Sequence, residues 1–142
     1  MWADSLQAFE EQHLLQLIAW AGASVLIGTL LLLALSLRRM RALLVSRFAI
    51  QCILWGVAEL AWGAFAYRDV PLRDFEGAAS LARALWVAIG IEAGGILVGL
   101  TLAIGGWTYV RRLGIVGAGI GIVVQASALM VLDLILVRAI RL

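Results

Sequence analysis

Three carboxylates stand inside long apolar runs of this chain: Glu59 in WGVAELAWG, Glu92 in IGIEAGG and Asp133 in MVLDLIL. Charge is costly in hydrocarbon, so each is a functional candidate and each needs a partner. Two chemistries suit them. A neutral Glu59 hydrogen-bonded to Glu92, Gln125 or a Trp indole would be a strut between helices. A carboxylate pair open to one membrane face would bind a proton or a cation. Helical spacing gathers further residues around them. Gln51, Trp55, Glu59 and Trp62 share one face, and Glu92 stands in line with Gly95 and Gly99. Gly117, Gly121, Gln125 and Asp133 follow at intervals of four or multiples of four. Small residues let helices approach, and amide or acid side chains bond across the gap, so these faces are expected to point into a bundle. Glu59 and Glu92 are expected at similar depth, able to meet. Asp133 lies nearer a helix end, from which it can also snorkel to headgroups.

Other chemistry finds no constellation. There is no CxxC, no HExxH and no phosphate-binding glycine loop after a strand. The glycines of GIVGAGIGIVVQ lie in an apolar run, where helix packing accounts for them better than a nucleotide. The single cysteine, Cys52, reads as a packing residue. The single histidine, His13, could join Glu10 and Glu11 in a metal site, but a solvated, acidic helix start is the preferred reading. No catalytic residue, metal or cofactor is therefore assigned.

The elements that must position the carboxylates are legible from hydropathy. Of 142 residues, 64% are hydrophobic and only 14% charged, too few to give a soluble domain its polar surface. Four apolar segments, about 14–37, 43–67, 84–110 and 113–137, each exceed the ~20 residues that span a bilayer. Backbone polar groups in lipid must be satisfied within helices. The chain is thus expected to be a single all-α domain over 1–142, a transmembrane four-helix bundle, with a loop at 68–83 holding Pro71. FEGAASLAR, at the end of that loop, offers the third helix an early start. Residues 3–13 are expected to form a polar lead-in turn or a short interfacial helix. All eleven basic residues are arginines. Arg38, Arg39, Arg41 and Arg47 cluster between the first two helices and Arg111 and Arg112 between the last two, while the three arginines of 68–83 are offset by Asp69, Asp74 and Glu76. The positive-inside rule places the 38–42 and 111–112 turns in the cytoplasm of a bacterial inner membrane, with both termini outside. Arg138 and Arg141 pull the other way. Trp2, Trp62, Trp86 and Trp107 suit interfacial belts, whereas Trp20 and Trp55 lie deeper and suit helix packing.

Helices two and four carry the same layout after their arginine turns: Gln51 then Glu59, and Gln125 then Asp133, eight residues apart in each. That spacing suggests two repeated helical hairpins related by an axis along the membrane normal. RFAIQCILWGVAELA, IGIEAGGILVGLTL and RRLGIVGAGIGIVVQASALMVLDLI together resemble a family of small prokaryotic four-helix membrane proteins of unknown function. The resemblance spans about 47–137. It implies the same fold and marks Glu92, Gly95, Gly99, Gln125 and Asp133 as family features; it supplies no activity. Small size, no catalytic set and glycine-rich faces favour a non-enzymatic accessory or scaffold subunit of a larger membrane complex. Its expected partners are the lipid bilayer and other membrane subunits, or further copies of itself, with no nucleic acid. The alternative is a small proton- or cation-coupled transporter or channel using Glu59 and Glu92.

Overall fold

The computed structural model describes residues 2–140; the side chain of Trp2 and all of Arg141 lie outside the described residues. Four helices account for the fold: α1 (Trp2–Leu37), α2 (Leu43–Ala66), α3 (Phe75–Thr108) and α4 (Leu113–Ala139). All four are long and apolar enough to cross a membrane. Their exterior is leucine, isoleucine, valine and tryptophan, while Glu10, Ser24, Glu59 and Gln125 are buried. That distribution inverts a soluble protein's and suits lipid as the solvent. The chain reads as a multi-pass membrane protein.

Two helices start earlier than hydropathy implies. α1 begins at Trp2, not near 14, and takes in the expected lead-in turn. α3 begins at Phe75, not 84, so the 68–83 loop contracts to a connection over 67–74. The Asp74 side chain caps α3 by accepting from the Gly77 N–H at 2.8 Å, and Glu76 complements the first turn. The two short turns each hold an arginine with positive φ, Arg39 (51°) and Arg111 (50°). Met40 N–H closes the first turn onto Leu35 O at 3.0 Å, and Arg112 N–H closes the second onto Gly106 O at 3.0 Å.

Close packing runs through residues without bulk. On α1 the buried positions Leu14, Leu17, Ala21, Ser24 and Gly28 alternate by three and four. On α2 Ala49, Cys52, Gly56, Glu59 and Gly63 do the same. This is the spacing of a left-handed seam. A Cβ on Gly56 would stand 2.8 Å from Ala21 O, and one on Gly28 2.6 Å from Ala49 O. α4 has no single seam. Gly117 abuts the Leu44 carbonyl and Gly121 the Gln51 side chain, both on α2. Gly119, two residues from each, faces Gly99 and Ala103 on α3.

The arrangement departs from the two-hairpin repeat. α2 and α4 do run parallel, as the Leu44–Gly117 and Gln51–Gly121 contacts show. A two-fold relation would also match the α1–α4 contact with an α3–α2 contact. α4 touches all three other helices, but no Cα of α3 comes within 8 Å of α1 or α2. Of the other three helices, only α4 brings its backbone within 8 Å of α3.

Gly119→Ala is expected to lower stability by about 1–3 kcal/mol, because the new methyl meets backbone atoms that cannot move aside. Gly94, whose Cβ position has nothing within 4 Å, is the control. Gly94→Ala should be neutral or slightly stabilising. Unfolding of both variants in mixed micelles reads the difference.

Candidate functional site

The missing α2–α3 contact leaves a cavity of about 650 Å³ toward the end of the bundle that carries the 67–74 connection. All four helices and the connection line it. α2 stops early there. Gly63 is level with Ile18 of α1, and α1 runs on for four more turns. The connection folds over the end of α2 and is clipped to α1. Arg73 donates twice to Glu10, Nε to Oε2 at 2.8 Å and Nη2 to Oε1 at 2.7 Å. Gln7 Nε2 donates to Val70 O at 3.1 Å. Hydrogen bonding to Glu10, then its charge, holds the Arg73 guanidinium above its ordinary value.

The carboxylates meet in this cavity, though not in the expected pairs. Glu59 is 7% exposed, and neither of its oxygens has a hydrogen-bond partner. It is not the bonded strut that its sequence context suggested. Glu92 and Asp133 both line the cavity, from α3 and α4, and Glu92 Oε2 has no hydrogen-bond partner. Asp133 does not snorkel. Its Oδ1 lies 3.3 Å from His13 Nε2, and both side chains are nearly buried. His13 and Glu10 are thus not a solvated helix start, nor do they join Glu11 in a metal site: one faces α4, the other Arg73.

The two glutamines split. Gln125 is the largest fully buried side chain, 1% exposed. Its Oε1 accepts from Trp20 Nε1 at 2.8 Å, and its Nε2 donates to Ser24 Oγ at 3.2 Å. Gln51 instead packs its methylenes on Gly121. The proposed Gln51–Trp55–Glu59–Trp62 stripe is also displaced. Trp55 and Trp62 are 41% and 67% exposed and stand at the cavity's edge. The physical reason is width: the α1–α2 seam admits alanine, glycine and cysteine but not indoles. Among the glycines singled out from sequence, Gly99, Gly117 and Gly121 make tight approaches. Gly95 meets only the Ala126 methyl at an ordinary 3.4 Å.

Sequence reasoning missed Arg73, Glu10, Ser24 and Trp20 as bonded residues. A signal existed for α1. The three-and-four spacing of its apolar seam continues through Glu10 to Leu6, which identifies an inward face and an early helix start. Nothing local signalled the partners, which lie 63 and 105 residues away.

Replacing Gln125 by Leu should strand the Trp20 N–H and the Ser24 hydroxyl. A Trp20→Phe and Gln125→Leu double-mutant cycle is expected to show a coupling of about 1 kcal/mol, within the range of bonds between membrane helices. Unfolding in mixed micelles measures it.

Comparison with the curated proteins and with the solved structures gives no match. Residues 16–134 match the family of unknown function DUF6992. That span takes in Glu59, Glu92, Asp133 and Gln125, and the chain belongs to this family.

Proposed function

We propose that the protein is a non-enzymatic membrane protein that takes up a proton or cation in the α2–α3 cavity, the site of a small cation-coupled transporter or channel. One observation carries the reading. Glu59 is almost fully buried, lines the cavity and has both oxygens unpartnered. A buried carboxylate needs a counter-charge or a proton, and here neither Arg73 nor His13 supplies one, since Glu10 and Asp133 engage them. Glu92 and Asp133, across the cavity on α3 and α4, provide a second acidic group near the first. The distribution suits a site that exchanges a positive charge better than a fixed strut, whose polar atoms would be satisfied.

A second reading, an accessory subunit of a membrane assembly, is favoured by a different feature. Gly90 and Gly94 lie one turn apart on α3, and neither Cβ position has any atom within 4 Å. Such a pair on a helix held from one side is suited to a helix of a partner or of a second copy.

Reconstitution into liposomes tests the first reading. Imposed gradients of protons, sodium or potassium are expected to drive a flux that falls to the level of empty liposomes in Glu59→Gln. The variant's fold is checked by its elution in mild detergent. Unchanged flux in a folded Glu59→Gln protein would sink the reading. Stoichiometric co-purification with other membrane proteins, and no flux from the protein alone, would favour the second.

A further inference from the structure

Resting on the cation-site reading, we propose that the α2–α3 cavity binds a lipophilic organic cation, with Glu59 as its counter-ion and Trp55 and Trp62 as its aromatic wall. Three independent features point away from a bare inorganic ion. The first is size. The cavity, about 650 Å³, falls among the ~300–1,000 Å³ sites that enclose organic ligands. An inorganic divalent cation needs several ligands converging at about 2–2.6 Å. No group of three or more His, Cys, Asp or Glu is so placed among the described residues.

The second is the balance of charge and surface. Internal pairing accounts for Arg73 with Glu10 and for His13 with Asp133. The buried atoms left without a hydrogen-bond partner are both oxygens of Glu59, one of Glu92 and Nδ1 of His13, so carboxylate oxygens make up three of the four. The rest of the wall is largely leucine and alanine, among them Leu14, Leu17, Leu81 and Leu85. Trp55 and Trp62 stand four residues before and three after Glu59, on the turns either side of it, and both line the cavity. An indole face attracts a cation and favours a weakly hydrated one. A ligand complementary to this wall is apolar over most of its surface and carries a single positive charge.

The third is access. No Cα of α2 lies within 8 Å of α3, so the cavity opens between two membrane-spanning helices. The outer faces of those helices are apolar, with Leu60, Val87 and Ile91 exposed. A lipophilic cation dissolved in the bilayer can reach Glu59 sideways. A hydrated inorganic ion cannot take that route without shedding its water.

The test uses the full chain in mild detergent with two isosteric probes of opposite charge, tetraphenylphosphonium and tetraphenylborate. Calorimetric titration is expected to show saturable binding of the phosphonium and none of the borate. Glu59→Gln should weaken that binding by about thirtyfold or more. Glu59→Asp, which keeps the charge, should retain most of it. Trp55→Ala and Trp62→Ala should each weaken it by about two- to fivefold. Equal uptake of both probes, or phosphonium uptake that is the same in wild type and Glu59→Gln, would overturn the proposal. Glu59-dependent flux of protons, sodium or potassium with no Glu59-dependent phosphonium binding would overturn it too, leaving the cation-site reading intact. Absence of both flux and phosphonium binding in the wild-type protein would remove the two together.

Discussion

The backbone of α4 is the constraint on which the other three helices depend. In a bilayer there is no hydrophobic force between helices, so they associate by close packing and by polar bonds that lipid cannot supply. α4 provides both on three sides. Gly117 and Gly121 bring α2 onto it, Gly119 brings α3, and Gln125 ties α1 through Trp20 and Ser24. A side chain larger than hydrogen at Gly117 or Gly119 would meet backbone, not a flexible tip. Three partners around one helix leave α2 and α3 on different sides of it, and the cavity lies in the angle between them.

This geometry gives the matched acids different fates. Asp133 and Glu59 stand eight residues beyond Gln125 and Gln51 on parallel helices. Asp133 faces α1 and finds His13; Glu59, in the buried face of α2 where the α1–α2 seam borders the cavity, finds nothing. The same contrast holds one level down, with Gln125 fully bonded and Gln51 packed by its methylenes. A bundle with exact two-fold pairing would offer Glu59 a partner from α3 and would close the cavity. The departure from symmetry is thus what produces an open acidic site, and the clip between Arg73 and Glu10 keeps the connection above it in place.

The four spans were legible because a bilayer demands about twenty apolar residues per crossing, and that demand overrides local propensity. The two short arginine turns were legible for the same reason. Helix starts were not. Hydropathy counts Glu10, His13 and Glu76 as breaks, whereas their costs are offset by Arg73, Asp133 and the start of a helix. Glu59, Glu92 and Asp133 were identifiable as candidates from type and burial alone. Their pairing was not, since it depends on which helices touch, and four apolar helices pack in several orders. The faces of α2 were misassigned because spacing alone fits both the tryptophan stripe and the small-residue seam. Only the width of the α1–α2 approach selects the second.

The central claim is that α3 is held by α4 and stands apart from α2, leaving Glu59 on the border of an opening. Disulfide trapping in native membranes tests it directly, on a Cys52→Ser background. Gly95→Cys with Ala126→Cys joins α3 to α4 where the Cβ separation is 3.4 Å. Ala58→Cys with Ala88→Cys joins α2 to α3 across the cavity. A disulfide needs Cα atoms within about 7 Å, and no α2–α3 pair comes within 8 Å. The account predicts rapid oxidation of the first pair and none of the second. Ready oxidation of Ala58→Cys with Ala88→Cys would mean that α2 and α3 close on one another, and that the cavity and its unpartnered Glu59 do not persist in the membrane.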